Sequence, residues 1–268
     1  LYLIYISLTL LEILALCLAG MPFYDAVVNT FATVCTGGFS VRNLSIASYG
    51  LPACEVIITV FMLLCSLNFA VFFLVLTGRL RQALGSDELR FFLLAVALSS
   101  AIVFFNVLPL YESAGHALRD TLFQVSSVVS TTGFSTADFA LWPTVSQFVL
   151  VLLMFLGGCA GSTLRRLSHP RAVKVVKLDG KAVDEETLNT VFVFFTCFFL
   201  VLGGTCLVVS LDGFSLTTSC SAALACISNT GPGLEAVGPL GNFAAFSSLS
   251  KVVLSMAMLV GRLEIFPI

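Results

Sequence analysis

Three short, polar, glycine-bearing stretches recur along the chain, each between strongly apolar segments. We name them loop A (Cys35-Thr36-Gly37-Gly38-Phe39-Ser40), loop B (Ser130-Thr131-Thr132-Gly133-Phe134-Ser135) and loop C (Ser228-Asn229-Thr230-Gly231-Pro232-Gly233). Gly38 and Gly133 are 95 positions apart, and Gly133 and Gly231 are 98 apart. A nearly constant period indicates an internal repeat. Because backbone-rich loops between membrane helices can replace the water around a bare cation, the spacing predicts most of an ion pore.

The residue types in the three loops suit a monovalent cation that is bound by oxygen dipoles. Glycine at positions 38, 133 and 231 permits the positive φ that turns a carbonyl inward, and it lets the loops approach an axis. Threonine hydroxyls either add oxygen atoms or brace the loop. No loop contains Asp or Glu, whereas a divalent cation typically recruits carboxylates. The predicted ion-binding residues are Thr36, Gly37, Gly38, Thr131, Thr132, Gly133, Asn229, Thr230 and Gly231.

Side chains at the edges of the loops have supporting roles. Phe39 and Phe134 follow the loop glycines and are expected to pack outward as anchors, whereas Pro232 stiffens loop C. Asp138 and Glu235 lie a few residues downstream, where they would collect cations at an outer mouth or be ordinary solvated charges. The short segment before each loop directs its negative helix end toward the ion.

Composition indicates that the solvent of this chain is a membrane. Fifty-eight per cent of the residues are apolar and 10% are charged, against about 25% charged in a typical soluble domain. Several apolar stretches are, with their flanks, long enough to cross a bilayer, which takes about 20 residues. They are residues 56–76, 91–108, 145–156, 191–209 and 249–260.

The basic residues predict the orientation of the chain. Two connections hold nine of the thirteen Lys and Arg residues, so the positive-inside rule places both connections in the cytoplasm. The three loops then open toward the outside. Binding of anionic lipid or of a cytosolic partner would also use such clusters. The nine residues are Arg79, Arg81, Arg90, Arg165, Arg166, Arg171, Lys174, Lys177 and Lys181.

Cysteine and histidine usage gives little support to a metal or redox site. Nine cysteines are scattered through apolar segments without a Cys-x-x-Cys pair, and the chain has two histidines. The cysteines are expected to be small packing residues. The chain begins inside an apolar run without Met and has no basic region or cleavage site of a signal peptide, so it is expected to be part of a longer protein.

Each repeat is predicted to consist of a helix, a short re-entrant helix, a loop and a returning helix. The re-entrant segments 23–34, 116–129 and 217–227 are too short to span a bilayer. Non-helical backbone at membrane depth needs cover from protein or a water-filled cavity, which three converging loops would provide together. The alternative is that the loops are extracellular turns that join ordinary spans. The predicted units are residues 1–79, 89–187 and 188–268.

At these residues the chain resembles the Trk/Ktr/HKT superfamily of potassium transporters, and within it the bacterial TrkH type. Loops A, B and C resemble that family's second, third and fourth selectivity-filter loops. Gly157-Gly158-Cys159-Ala160-Gly161-Ser162-Thr163 resembles its intramembrane gating loop, and Gly261-Arg262-Leu263-Glu264-Ile265-Phe266 resembles its final-helix signature. These five motifs occur in the family's order and cover the whole chain.

The resemblance implies an all-α polytopic membrane protein in the bacterial inner (plasma) membrane. Its helix–pore helix–filter loop–helix units would stand in a pseudo-fourfold arrangement around a central pore, with the first unit absent from this chain. It implies passive or ion-coupled uptake of K⁺. The expected partners are membrane lipid, a second copy in a homodimer and a cytosolic nucleotide-binding regulatory ring of the TrkA/KtrA type. Neither an organic cofactor nor nucleic acid is expected. K⁺ would be bound at Thr36, Gly38, Thr132, Gly133, Thr230 and Gly231.

The gate is expected below the filter, where glycines loosen an apolar helix, each at a cost of about 1 kcal/mol relative to alanine. Close helix–helix packing of small residues is the alternative. Arg262 lies deep in an apolar segment and would raise the barrier to cations when the gate is shut, or else snorkel to the cytoplasmic surface beside Glu264. The predicted gate residues are Gly157, Gly158, Ala160, Gly161, Ser162, Thr163 and Arg262.

Two departures from the family pattern affect what the sequence decides. The first filter loop is absent, and it strongly influences whether family members prefer K⁺ or Na⁺, so a sodium-permeable relative stays open. Thr163 runs directly into Leu164, where relatives have more residues. A different class, an intramembrane serine protease, has little support because His116 and His169 lie far from any Gly-x-Ser-x-Gly pattern. The chain is therefore predicted not to be an enzyme.

Overall fold

A computed structural model describes residues 2–67, 71–72, 78, 87–158, 177–178, 181–182 and 185–262. Helices dominate this part of the chain, with short 3₁₀ turns at Ser45–Tyr49, Leu108–Leu110, Phe139–Leu141 and Glu235–Val237. The α-helices are α1 (Tyr2–Leu18), α2 (Phe23–Val34), α3 (Pro52–Cys65), α4 (Asp87–Val107), α5 (Ala114–Val129), α6 (Thr144–Gly158), α7 (Glu185–Ser210), α8 (Leu216–Ile227) and α9 (Ser248–Arg262).

In the part of the chain that the structure describes, the α-helices pack as three groups of three. Within each group, the outer helices contact the short helix between them and each other: α1 with α2 and α3, α4 with α5 and α6, and α7 with α8 and α9. The groups are joined in one way, because the third helix of one group packs on the short helix of the next, α3 on α5 and α6 on α8. The same contacts therefore recur along the chain with the period that the glycines indicated.

Local signals explain where the short helices begin. Pro22 stands immediately before α2, and Asp25 lies in its first turn, where a carboxylate interacts favourably with the positive helix end. Ser215 precedes α8 and its hydroxyl accepts a hydrogen bond from the backbone N–H of Thr218 at 3.1 Å. That N-cap starts α8 at Leu216, one residue before the predicted boundary, and α5 likewise begins at Ala114 rather than at residue 116.

Apolar side chains from neighbouring groups form the core. Phe123 of α5 and Phe134 of loop B are fully buried with Leu16 and Ile58, so the first group is closed by residues of the second. A second cluster joins the second and third groups in the same manner and includes Trp142, Met154, Phe198 and Ile227. Between helices in a membrane such contacts stabilise through van der Waals packing rather than through transfer from water.

The returning helix of the first group, α3, begins at Pro52 and covers the first part of the predicted apolar stretch 56–76. Helix α3 ends at Cys65, because the Ser66 hydroxyl bonds the Leu63 carbonyl at 2.8 Å and the N–H of Leu67 bonds the Leu64 carbonyl at 3.1 Å. Sequence reasoning also missed a short antiparallel pair of strands, β1 (Lys177–Leu178) and β2 (Lys181–Ala182), within the connection that carries six of the thirteen basic residues.

By length and composition, one stretch among the described residues qualifies as a membrane span, Leu89–Leu110, with 22 residues. The other apolar helices are shorter, at Tyr2–Leu18, Pro52–Cys65, Thr144–Phe155, Phe195–Ser210 and Leu216–Ile227.

Two of the eight cysteines in the described part, Cys206 of α7 and Cys220 of α8, place their sulfur atoms 3.1 Å apart, while Cys54 and Cys226 are buried as packing residues.

Candidate functional site

Each short helix ends in the same backbone turn. The first residue after the helix cap has a left-handed conformation in all three cases: Thr36 at φ 52°, Thr131 at φ 56° and Asn229 at φ 55°. This region is unusual for any residue with a side chain and is a clear outlier for β-branched threonine. Such strain costs about 1–3 kcal/mol per residue and persists only where the surroundings impose it.

Three equivalent hydrogen bonds close the three turns. The N–H of Gly37 bonds the Ala32 carbonyl at 2.8 Å. The N–H of Thr132 bonds the Ser127 carbonyl, and that of Thr230 bonds the Ala225 carbonyl, each at 3.0 Å. With the bonds one residue earlier (Thr36 to Thr33, Thr131 to Val128 and Asn229 to Cys226), they form a Schellman motif at each helix end.

The turns leave a run of loop carbonyls free. In each loop, three carbonyl oxygens receive no hydrogen bond from a described residue. They belong to the two residues after the helix cap and to the loop glycine. A backbone carbonyl without a protein partner accepts hydrogen bonds from water or binds a cation. These nine oxygens belong to Thr36, Gly37, Gly38, Thr131, Thr132, Gly133, Asn229, Thr230 and Gly231, the residues that the sequence predicted.

The loops also touch one another in order. Gly38 has φ 65°, and a Cβ atom built on it would overlap the carbonyl oxygen of Thr132 in loop B. Gly133 has φ 85°, and its Cβ would overlap the carbonyl oxygen of Thr230 in loop C. Gly231 has φ 97° with no atom within 4 Å of the corresponding position. Glycine is therefore required twice over in loops A and B, by backbone conformation and by contact with the next loop.

One outer cavity brings the three loops together. Its volume is about 320 Å³, and Gly38, Gly133 and Gly231 all line it. Residues that follow the loops, among them Arg42 and Phe243, form the rest of its wall. Segments nearly a hundred residues apart in sequence thus share one opening.

The threonine hydroxyls of loops B and C brace the loops. Thr132 Oγ1 lies 2.8 Å from Ser130 Oγ, and Thr230 Oγ1 lies 2.9 Å from Ser228 Oγ; both threonines are buried. The hydroxyl of Thr36 instead donates to the neighbouring carbonyl of Cys35 at 2.8 Å. Of the two predicted uses of these side chains, bracing fits the observed hydrogen bonds.

The two loop phenylalanines have different environments. Phe134 is fully buried in the core between the first and second groups, which confirms that it anchors loop B. Phe39 is 77% exposed, so the expected anchoring of loop A is absent among the described residues. Pro232, the proline expected to stiffen loop C, also lies against loop B. Its Cδ is 3.1 Å from the position that a Cβ atom would take on Gly133, so it supports loop B as well as loop C.

Two carboxylates and a threonine occupy a common position in the first half of the short helices, which sequence reasoning did not notice. Thirteen residues before the loop glycines stand Asp25, Asp120 and Thr218. Tyr49 donates to Asp25 Oδ2 at 2.9 Å, and Tyr111 donates to Asp120 Oδ2 at 2.9 Å. Their common offset from the loop glycine was the available signal.

In the third group the carboxylate does not come from the short helix. It belongs to Glu235, which follows loop C and bonds the helix residue Thr218. Thr218 Oγ1 donates to Glu235 Oε2 at 2.8 Å, and the Ser215 hydroxyl donates to the same oxygen. These hydrogen bonds lower the pKa of the exposed Glu235 carboxyl below its ordinary value. Asp138 caps the 3₁₀ turn after loop B by accepting from the N–H of Ala140 at 3.0 Å. Both acids therefore have local structural roles at the outer face.

On the inner side of loop A lies a second cavity of about 460 Å³, lined by Thr36, Cys65 and Arg262, among others. Arg262 Nη2 donates to the Cys35 carbonyl at 3.3 Å, so the last described residue of α9 reaches the end of α2. Gly157 and Gly158 are the last residues of α6. The other predicted gate residues, Ala160, Gly161, Ser162 and Thr163, and the possible partner Glu264 lie outside the described residues.

The chain matches a family model described as TrkH, cation transport protein, over residues 1–165 and 163–268. The two matched stretches overlap at residues 163–165, which include the Thr163–Leu164 junction. The match extends over both sides of the junction and includes all three loops.

Named relatives agree with this match. The chain is 35% identical over 290 residues to the Trk system potassium uptake protein TrkH of Salmonella typhimurium, covering 99% of this chain and 59% of that protein. It is 34% identical over 274 residues to the Trk system potassium uptake protein TrkG of Escherichia coli, covering 94% and 56%. The chain therefore spans about three-fifths of the length of the curated relatives that it matches.

A solved structure has the same fold. The crystal structure of the potassium transporter TrkH from Vibrio parahaemolyticus superposes with a TM-score of 0.84 at 32% identity, covering 99% of this chain and 61% of that one. Together with the family match, this likeness confirms the predicted helical class and the resemblance that the five motifs carried. The division into units 1–79, 89–187 and 188–268 and the pseudo-fourfold pore stay predictions.

Proposed function

Because the chain belongs to the TrkH family of cation transport proteins, we propose that it forms three of the four filter segments of a potassium uptake protein. That protein would be a multi-pass protein of the bacterial inner (plasma) membrane. The observation that carries the proposal is the succession of loop contacts, in which Gly38 meets the Thr132 carbonyl and Gly133 meets the Thr230 carbonyl around one cavity.

Potassium suits this arrangement on physical grounds. A K⁺ ion that leaves water needs several oxygen dipoles, and the loop carbonyls are supplied without any full negative charge. The three preceding helices end at the loops, so their partial negative charge adds attraction for a cation. Neutral ligands hold a monovalent ion loosely enough for it to leave. We place K⁺ at the backbone oxygens of Thr36, Gly38, Thr132, Gly133, Thr230 and Gly231.

The gate of this protein would lie directly beneath loop A. We assign to it Gly157, Gly158 and the segment that follows them, together with Arg262, whose contact with the Cys35 carbonyl supports a location beside the ion path. A guanidinium there repels cations when the path is narrow. The cytoplasmic connection between α6 and α7 would receive the signal that opens the gate.

The assembly implied by this function extends beyond the chain. Membrane lipid would surround it, two complete copies would form a homodimer, and a cytosolic nucleotide-binding ring of the TrkA/KtrA type would act on the basic connection. Neither an organic cofactor nor nucleic acid belongs to the proposal. The relatives are described as potassium uptake proteins, in agreement with a transport protein rather than an enzyme.

Cation uptake by cells that lack their own potassium systems tests the proposal. Cells that express the full-length protein are expected to take up rubidium and to exclude sodium. Sodium uptake at a comparable rate would replace the potassium assignment by that of a sodium-permeable family member. Uptake of neither ion, with the protein present in the membrane, would refute the transport function.

A further inference from the structure

Glu12 in α1 is a carboxyl group buried inside the first helix group. Its side chain has 0% exposure, although α1 is otherwise apolar. Neither Oε1 nor Oε2 has a hydrogen-bond partner among the described residues. The polar neighbours of its carboxyl group include Thr33 of α2 and Cys65 of α3, the two helices that pack on α1. None of the functional assignments made above uses this residue.

A negative charge at this position would be strongly unfavourable. A buried carboxylate needs a cationic partner, but no described residue bonds the Glu12 carboxyl group, and Arg42 and Arg119 pair with other acids. Thr33 lies in the last turn of α2, where the helix end itself carries partial negative charge. Cys65 is a titratable neighbour among the described residues, and a thiol supplies no positive charge.

The hydrogen bonds of Thr33 show which form of Glu12 fits. The Thr33 hydroxyl bonds the Asn29 carbonyl at 2.9 Å, and while its single hydrogen is donated there, Thr33 Oγ1 has only lone pairs to offer Glu12. A carboxylate also has only lone pairs and would be repelled. A protonated carboxylic acid has one O–H and can donate it to Thr33 Oγ1.

We propose that Glu12 is an intramembrane proton-binding site, which carries a proton in the native protein and donates it in a hydrogen bond to Thr33. The site is linked to loop A by one residue. The carbonyl of Thr33 accepts the N–H of Thr36 at 3.0 Å, and Thr36 is the strained residue that begins the loop. Loss of the proton would place a negative charge against the end of α2 and weaken the support of that turn.

Infrared spectroscopy of the full-length protein in lipid tests the proton directly. At neutral pH the spectrum is expected to contain the C=O stretching band of a protonated carboxylic acid, which disappears in Glu12→Gln. Thr33→Val keeps the shape of its residue and removes the acceptor, so the band is expected to move to higher frequency. If Glu12→Gln instead removes a carboxylate band, Glu12 is ionised or holds a metal cation, and the proposal is wrong.

Controls separate this result from a folding defect. Glu12→Gln replaces the acid by a neutral amide of the same shape that can also donate to Thr33, so its melting temperature at neutral pH should not fall. Glu12→Asp retains an acid and should give a shifted acid band rather than none. A melting temperature of Glu12→Gln far below that of the wild type would contradict a neutral Glu12.

Rubidium uptake as a function of pH tests the link to loop A. Uptake by the wild type is expected to fall at alkaline pH as Glu12 loses its proton, and this loss should be absent in Glu12→Gln. Identical alkaline profiles for the two proteins would refute the coupling to the loop, whatever the infrared result. Since the infrared measurement does not depend on transport, failure of the potassium assignment and failure of the proton site are distinguishable.

Discussion

Loops A and C have the same backbone turn in different surroundings. Both place a left-handed residue and then a positive-φ glycine after a short helix, Gly38 at φ 65° and Gly231 at φ 97°. A Cβ on Gly38 would overlap the carbonyl of the next loop, whereas the same position on Gly231 has nothing within 4 Å. The turn is therefore a property of each helix end, and the exclusion of side chains comes from the neighbouring loop.

The outer ends of the same two short helices differ in their charges. At the helix of loop A the acid is Asp25. Its partner Arg42 lies four residues after the loop glycine in sequence, and Arg42 Nε is 3.6 Å from Asp25 Oδ2. At the helix of loop C the helix residue is the neutral Thr218, and the acid Glu235 occupies the position four residues after the glycine. The contact between the two positions is retained while the charged partners are exchanged, so geometry rather than a particular charge is repeated.

The largest expected effect is that of an added methyl group at the contact between loops. Gly38→Ala would push loop A away from the Thr132 carbonyl, because backbone cannot give way as a side chain can. Rubidium uptake by cells expressing the full-length variant is expected to be abolished.

Gly50→Ala is the matched control for backbone strain. Gly50 has φ 60°, close to that of Gly38, with nothing within 4 Å of its Cβ position. The substitution should cost about 1–2 kcal/mol of stability for the left-handed conformation and leave uptake intact. If both variants lost uptake equally, strain alone would explain Gly38 and the contact between loops would have no special role.

The short helices could be predicted from sequence, because segment length and the position of the glycine loops are local properties. The ends of α2 and α8 were placed to within one residue. The turns themselves were not foreseen, since Thr36 and Thr131 are β-branched residues in a left-handed conformation that their own preferences oppose. Only the hydrogen bonds of the completed turn explain them.

The contacts at the outer face could not be predicted because their partners come from different directions along the chain. Tyr49 follows Asp25 by 24 residues, while Tyr111 precedes Asp120 by 9. Nothing in the local sequence of Glu12 indicated that it would be fully buried rather than turned toward lipid headgroups. Such pairings depend on which helix faces pack, which the sequence pattern of this apolar chain leaves open.

A second prediction concerns the ion pairs that join and support the helix groups. Arg119 Nε lies 2.5 Å from Glu55 Oε2 across the contact of α3 and α5, with Glu55 8% exposed. Arg119→Met leaves this buried carboxylate without its partner and should cost about 3–5 kcal/mol of unfolding free energy. Denaturant unfolding of the full-length protein in detergent micelles measures the loss.

Arg42→Met is the matched comparison on the surface. Arg42 is 48% exposed in its pair with Asp25, so its removal should cost less than about 1 kcal/mol. Equal losses of unfolding free energy for the two variants would show that burial does not make the Arg119–Glu55 pair more stabilising than the Arg42–Asp25 pair.

A third prediction uses the two tyrosines that bond equivalent acids. Tyr49→Phe and Tyr111→Phe each remove one hydroxyl that donates at 2.9 Å, to Asp25 and to Asp120. Each should cost about 1 kcal/mol or slightly more, because the acceptor is a carboxylate. Similar shifts in melting temperature are expected. A large effect of only one substitution would mean that the two supports are not equivalent.

The smallest expected effect distinguishes the support of loop C from the other two by its pH dependence. The hydrogen bonds from Ser215 and Thr218 lower the pKa of Glu235 in the folded protein, so their stabilisation is present above the ordinary carboxyl pKa and is lost as the pH falls through the lowered value. Glu235→Gln should therefore reduce the decline in melting temperature between neutral and acid pH, and only slightly, because the group is exposed to solvent.

Glu112→Gln provides the reference for this last measurement. Glu112 is exposed and makes no hydrogen bond with a residue that the structure describes, so its substitution should leave the acid decline unchanged. A flatter profile for both variants would point to general removal of negative charge. A flatter profile for Glu235→Gln alone would show that a carboxylate that follows loop C supports that loop. At loop A the supporting carboxylate, Asp25, lies in the helix that precedes the loop.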